Sequence, residues 1–280
     1  IIFIEDGSTD NTYNVMQQLA QKDSNVKVIR FRKNFGKAAA LQTGFNYATG
    51  DVIFTMDADL QDNPAEINNF LAKLDEGYDL VTGWKKKRHD PLNKKIPSKL
   101  FNFVTSRSFG LKLHDYNCGF KAYCREAVEE LDIYGEMHRY IPALAHSKGF
   151  KVAEIVVDHR SRQFGKSKYG IERYLRGFLD LTTVKLLTHY ARSPLYLFGN
   201  IGAIISLIGV MIGLYLSVLK IFFYQSLSNR PLLFLAVLLI MVGLQLFSVG
   251  LLSELMVNQN RRLNRKKHIS IKDLLNMKEE

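Results

Sequence analysis

Short apolar runs closed by polar turns dominate the first half of the chain. Ile1–Ile4, Val26–Phe31, Val52–Met56, Leu80–Gly83 and Lys151–Val157 read as strands. Between them, apolar residues recur at helical spacing. One set is Val15, Met16, Leu19 and Ala20, and a second is Ala38, Leu41 and Phe45. The third, Ile67, Phe70, Leu71 and Leu74, follows Pro64, a residue suited to a first helical turn. Strands alternating with helices over short connections predict an α/β fold, a mostly parallel sheet covered on both faces. Asp115–Lys121 reads as a polar turn entering an apolar element, with a helix starting near Arg125.

The second half has a different pattern. Ile171, Tyr174, Leu175, Phe178, Leu179, Thr182 and Leu186 keep one nearly apolar face, as an interfacial helix or a helix packed on the domain would. Residues 193–219 and 231–253 are two uncharged runs bracketed by Arg192, Lys220, Arg230 and Glu254. Each is long enough to cross a hydrocarbon core as a helix. The expected organisation is a catalytic domain over 1–168, an amphipathic juxtamembrane helix over 169–192, a two-helix anchor over 193–256 and a basic tail over 257–280. Two spans return the chain to its starting side. Lys185, Arg192, Arg261, Arg262, Arg265, Lys266 and Lys267 flank them, against Lys220 and Arg230 in the connecting loop. The positive-inside rule therefore predicts a multi-pass protein with domain and tail in the cytoplasm. Small residues Gly202, Ser206, Gly209 and Gly213 are candidates for helix pairing, and so for homo-oligomers.

The net charge of +11 suits anionic lipid or phosphorylated ligands. The basic residues lack the interleaved aromatics of a nucleic-acid module, so no nucleic-acid partner is expected. Cys118 and Cys124 fit no metal pattern and read as reduced thiols.

Candidate chemistry centres on Asp57-Ala58-Asp59-Leu60-Gln61-Asp62, directly after an apolar strand. Alternating carboxylates at a strand tip suit a hard divalent cation completed by substrate phosphates, although acidic turns are also ordinary loop chemistry. Asp6 stands at the end of the first strand, where it suits a nucleobase or ribose and equally a helix cap. Gly36 allows close backbone approach, and Lys37 at a helix start suits a phosphate. The basic, turn-rich stretch from Lys85 to Lys99 reads as a loop or lid able to clamp diphosphate or meet anionic headgroups. Asp115 suits a sugar-orienting group or a base. Glu136, His138 and Arg139 form a cluster suited to sugar or phosphate. Arg160, Arg162, Lys166 and Lys168 surround Gly165 and two serines, a composition suited to phosphate.

In this order, Glu5-Asp6-Gly7-Ser8-Thr9-Asp10, Asn34-Phe35-Gly36-Lys37, Asp57-Ala58-Asp59-Leu60-Gln61-Asp62 and Arg162-x-x-Gly165-x-Ser167-Lys168 resemble the family-two inverting glycosyltransferases. The resemblance is to their polyprenyl-phosphate branch, which includes dolichyl-phosphate mannose synthases and bactoprenol glucosyltransferases. It covers the whole chain. It implies a GT-A-type fold, a nucleoside-diphosphate sugar donor (UDP-hexose ahead of GDP-mannose) and a polyprenyl phosphate acceptor, undecaprenyl or dolichyl. Glu5, Asp6, Ser8, Gly36, Lys37, Asp57 and Ala58 would form the nucleotide-sugar site. Asp57 and Asp59, with Gln61, would hold Mg²⁺ or Mn²⁺. Lys85, Arg139, Arg160, Arg162 and Lys168 would engage the lipid phosphate or the departing diphosphate. Asp57, Asp59, Asp115 and Arg162 would carry the catalysis, a metal-assisted single displacement. Family members usually begin with a strand and an Asn-Glu turn upstream of Ile1, so an N-terminal nucleotide-binding element is expected to be absent. Their turn more often has two aspartates where Glu5-Asp6 stand.

Two rival classes are weighed against this. Processive polysaccharide synthases carry a Gln-x-x-Arg-Trp element, and Trp84 stands in Gly83-Trp84-Lys85 without it. A membrane-tethered binding module without activity would keep the same carboxylates and cations, and only turnover separates it from an enzyme.

Overall fold

The computed structural model describes residues 1–86, 92–158, 160, 180–181, 183–185, 193–224 and 231–263. It divides into two compact units, Ile1–Lys185 and Leu186–Glu280.

The first unit is α/β. Strands β1 (Ile2–Glu5) and β2 (Lys27–Arg30) pair in parallel, joined by helix α1 (Thr12–Lys22). Helix α2 (Lys37–Tyr47) leads to β3 (Val52–Thr55). A short 3₁₀ turn at Pro64–Glu66 then opens α3 (Ile67–Asp75), followed by β4 (Leu80–Trp84). After α4 (Leu92–Phe109) come β5 (Lys121–Cys124), α5 (Arg125–Glu130), α6 (Ile141–Ser147) and β6 (Val152–Val156). The second sheet has the order β3-β5-β4-β6.

This sheet is mixed rather than mostly parallel. β4 pairs with β6 in parallel, but β5 lies between β3 and β4 and runs antiparallel to both. Its four residues begin with a charge, and the pairing comes from flanking strands distant in sequence, so local pattern does not reveal it. Alternation along the strands covers both faces, as expected. Leu80 and Tyr123 face one core with Phe45 and Tyr140. Val81 and Ala122 face the other with Phe70 and Phe120, whose ring centroids are 4.3 Å apart. Helix α2 links the two sheets. Its Phe45 meets Tyr123 at 5.2 Å, while its Gly44 faces Ile4 of β1.

The expected loop from Lys85 to Lys99 ends at Leu92, where α4 begins. Phe101 and Val104 pack on the main core and Thr105 and Phe109 are buried, so this part of the helix turns a face to the core. Leu181 and Val184 are also buried in that core. The compact unit therefore extends to Lys185, within the segment expected to lie along a membrane. The rest of that segment and the 264–280 tail lie outside the described residues.

The second unit is a helical hairpin of α7 (Pro194–Phe223) and α8 (Pro231–Leu263). Pro194–Phe223 and Pro231–Gln259 are long and apolar enough to cross a membrane. Only 17% and 11% of their apolar windows are buried, unlike the core helices of a soluble domain. Their seam is built from small residues. A Cβ on Gly202 would lie 2.5 Å from the Gly243 carbonyl oxygen, and one on Gly209 would lie 2.8 Å from that of Ala236. Ser206 closes against Gly243 and reaches the Ile240 carbonyl at 3.5 Å. Gly202, Ser206 and Gly209 thus pack the two helices of one chain together, rather than standing open to a second copy. A Cβ on Gly213 would meet nothing within 4 Å. Glu254 of α8 accepts a hydrogen bond from the Leu195 N–H at 3.4 Å, placing an acid at the positive end of α7.

The seam gives a direct prediction. Gly243→Leu should separate the hairpin and lower the thermal midpoint of the detergent-solubilised protein, with a loss of about 1–3 kcal/mol from overpacking. Gly213→Leu should leave that midpoint unchanged.

Candidate active site

The site forms where β1, β2 and β3 end. Glu5 closes β1, with its carboxylate turned inward and 1% of the residue exposed. It accepts a hydrogen bond from the Ser8 N–H and pairs with Arg30 at 3.5 Å. The Ser8 N–H holds its pKa below the ordinary carboxylate value, against the opposing effect of burial. Glu5 therefore shapes the turn from within, its carboxylate engaged by Ser8 and Arg30. Ser8 stays exposed.

Asp6 is also engaged within the chain. Its two carboxylate oxygens accept from the Phe35 N–H at 2.7 Å and the Gly36 N–H at 2.9 Å. The Asn34 side chain donates to the Asp6 carbonyl at 3.0 Å. Gly7, at φ 75°, makes this clasp possible, since a Cβ there would sit 2.5 Å from the Asn34 nitrogen. The clasp fixes the start of α2, where Lys37 donates to Asp57 at 2.6 Å.

Asp57 stands at the tip of β3 against Gly119, and any side chain at 119 would collide with its carboxylate. Burial raises its pKa, but Lys37, then Lys85 and Lys121, outweigh that and hold it below the ordinary range. Ala58 is exposed, and Asp59 accepts from the Gln61 N–H at 3.2 Å. Leu60 between them has φ 61°, a left-handed conformation costly for a branched side chain. Gln61 joins this turn to the end of β6. Its carbonyl accepts from the Arg160 N–H at 2.9 Å, and its side chain donates to the Arg160 carbonyl at 3.1 Å.

Beneath the turn, Asp62 is buried and paired with Lys85 at 3.3 Å. Burial alone would lower the Lys85 pKa, but Cys118, Asp62, Asp115 and Asp57 raise it. Asp115 is fully buried, accepting from the Asn117 N–H at 3.1 Å. Arg139 is buried and paired with Glu136 at 2.7 Å, so its guanidinium is committed inward. Arg160 is exposed. Arg162 and Lys168 lie outside the described residues.

Among the described residues, no group of three or more His, Cys, Asp or Glu gathers into an all-protein cage. Two carboxylates at a strand tip, beside a Lys that already neutralises one of them, instead fit a hard cation shared with a bound diphosphate. Asp57 and Asp59 are the residues that would hold it.

Residues 1–132 match the family described as "Glycosyl transferase family 2". The dodecaprenyl-phosphate galacturonate synthase of Rhizobium johnstonii is 36% identical over 260 residues, covering 91% of this chain and 77% of that protein. This chain belongs to glycosyltransferase family 2. The undecaprenyl-phosphate 4-deoxy-4-formamido-L-arabinose transferase of Klebsiella pneumoniae is likewise 36% identical, over 91% of this chain and 77% of its own length. The glucosyl-3-phosphoglycerate synthase of Mycobacterium tuberculosis, in complex with Mn²⁺, UDP and phosphoglyceric acid, shares the fold. Its TM-score is 0.50 at 17% identity, over 66% of each chain.

A cavity beside Asp57 is lined by Lys37 and His138, both singled out from sequence, and by Thr55, Lys121 and Tyr123, which were not given a role there. Lys121 is buried and donates to the Cys118 carbonyl, and burial brings its pKa down to about 8. The Nδ1 of His138 is buried without a hydrogen bond. Burial, with the charges of Lys37, Arg139 and Lys121, drops the His138 pKa to about 3 and keeps the ring neutral. The sequence signal was Gly119-Phe120-Lys121: a glycine and a cation around one apolar residue, directly after Asp115-Tyr116-Asn117-Cys118.

Two outcomes follow from these contacts. Because its folded pKa lies below the unfolded value, Asp57 contributes stability above about pH 4 that is lost as pH falls through the folded pKa. Lys37→Met should raise the Asp57 pKa, read by carboxyl ¹³C NMR, and shrink that contribution. Leu60→Gly should stabilise the fold by up to about 1 kcal/mol in chemical denaturation, where glycine at an ordinary position would destabilise it.

Proposed function

We propose that this glycosyltransferase moves a hexose unit from a UDP-sugar to a polyprenyl phosphate, inverting the anomeric carbon in one displacement. The observation that carries this reading is the likeness along 91% of the chain to transferases named for dodecaprenyl and undecaprenyl phosphate. The carboxylates of Asp57 and Asp59, with Lys37, Lys85 and Lys121 around Asp57, supply a matching site.

The chemistry is a substitution at the anomeric carbon. A phosphate oxygen of the acceptor forms the new C–O bond as the bond to the donor diphosphate breaks. An acceptor phosphate monoester, with its second pKa near ~6, is largely dianionic at neutral pH and needs no strong base. Asp115, buried under the site, accordingly serves to position rather than to take a proton. Lys37, released from Asp57, and Lys85 offer positive charge to the diphosphate. Arg160, with Arg162 and Lys168, engages the lipid phosphate. Asp57 and Asp59 would hold Mg²⁺ or Mn²⁺, which would supply Lewis-acid stabilisation of the departing diphosphate. The two apolar helices hold the enzyme at the membrane, with the domain and tail on the cytoplasmic side.

The test is sugar transfer to undecaprenyl phosphate by the purified protein in lipid nanodiscs. Radiolabelled UDP-glucose, UDP-galacturonate and GDP-mannose are compared, with Mg²⁺, with Mn²⁺ and with chelator. One UDP-sugar should give metal-dependent lipid product, and Asp59→Ala should lower the rate by about 10²-fold or more. Product from GDP-mannose alone would reverse the choice of donor. Donor binding without product from any sugar would support the non-catalytic module instead.

A further inference from the structure

We propose that the cavity beside Asp57 receives the carboxylate of an anionic donor sugar, a hexuronate, and that Lys121 and His138 select it. The inference rests on the reading that a nucleotide sugar binds at Asp57 and Asp59, and it names the class of that sugar. The cavity adjoins the place where the diphosphate would lie. Lys37 and Gly119 both line it, and both touch Asp57. A sugar is joined to its diphosphate through one oxygen atom, so its ring reaches the space next to Asp57. The β3–β5 register sets Thr55 opposite Lys121, so both line the cavity from one face of the sheet.

What the walls offer decides the ligand. Leu41 and Ile141 are apolar, and the lining includes no Asp or Glu. The Thr55 hydroxyl donates to the Gly119 carbonyl at 2.9 Å and lies 3.3 Å from the Tyr123 hydroxyl, so these groups already engage one another. Lys121 differs. Its ammonium is buried and donates to the Cys118 carbonyl, a neutral partner. Among the described residues it forms no ion pair, and Asp115 and Asp57 act on it without contact. An ammonium has three protons to donate, and that one hydrogen bond leaves two. His138 keeps its buried Nδ1 without a hydrogen bond, and a neutral ring can carry its proton there. The unspent groups are therefore donors. A sugar hydroxyl both donates and accepts, whereas a carboxylate only accepts and brings the charge that a buried ammonium lacks.

The experiment measures binding of matched donors to the full chain in lipid nanodiscs with Mg²⁺, by isothermal titration calorimetry. UDP-glucuronate is compared with UDP-glucose, and UDP-galacturonate with UDP-galactose. Within each pair only C6 differs, as a carboxylate or a hydroxymethyl group, and UDP alone is the reference. One uronate should bind more tightly than its neutral partner by about 30-fold or more, as a desolvated charge pair would give. Lys121→Met should bring that uronate down to the affinity of the neutral sugar, and His138→Phe should narrow the gap. Equal affinity within both pairs, or preference for the neutral sugars, would overturn the proposal in the unmodified chain, whether or not the variants fold. A loss of UDP affinity in Lys121→Met as large as the loss of uronate affinity would assign the ammonium to the diphosphate and overturn it as well. Either result leaves the nucleotide-sugar site standing. Failure of the unmodified chain to bind UDP at all would overturn that reading, and this proposal with it.

Discussion

The candidate site depends on the ion pair between Lys37 and Asp57. Asp57 stands two residues beyond the end of β3, and it is pressed so closely against residue 119 that only glycine fits there. A carboxylate in that position is partly desolvated, and without a cation beside it the cost would fall on the sheet edge. Lys37 provides the cation from the first residue of α2. The start of α2 is in turn fixed by Asp6, which holds the Phe35 and Gly36 amides, and Asp6 is placed by a turn that Glu5 shapes from inside. Four acidic or basic residues, at the end of β1, the start of α2 and the turn after β3, thus form one chain of support that ends at the Asp57 carboxylate.

This arrangement explains why similar acidic residues have dissimilar tasks. Glu5 and Asp6 are adjacent, yet one is sealed in the turn and the other clamps a neighbouring loop. Asp57 and Asp59 are two apart, and the first lies against Gly119 while the second closes a short turn around a strained leucine. Burial and the nearest amide or ammonium decide the role in each case. The same applies to the cations: Arg139 is committed to Glu136, whereas Arg160 is exposed at the end of β6.

Much of the fold was legible because its period is local. β1, β3, β4 and β6, and helices α1 to α3, follow runs and spacings visible within ten or so residues. β5 and α4 were not read, and each has a physical reason. β5 is short, opens on Lys121 and owes its extended form to two partner strands. The start of α4 combines lysines with Pro97, a composition typical of loops. In the site, the acidic turn after β3 was visible as chemistry at a strand tip. Lys121 was harder to assign, since the cavity it shares with Lys37 and His138 is assembled from segments many tens of residues apart. The inward turn of Glu5 is invisible in sequence because a buried and an exposed glutamate are spelled alike.

The glycine seam of the hairpin also has a consequence in time. Gly243 follows Gly202 by 41 positions. At roughly 5–20 residues per second, synthesis leaves the first helix without its partner for about 2–8 seconds. During that interval Gly202, Gly209 and the Ser206 hydroxyl have no neighbouring backbone to cover them, and lipid or the insertion machinery must take its place. Assembly of the anchor is therefore a two-stage event within a single chain, and its second stage begins only when α8 enters the bilayer.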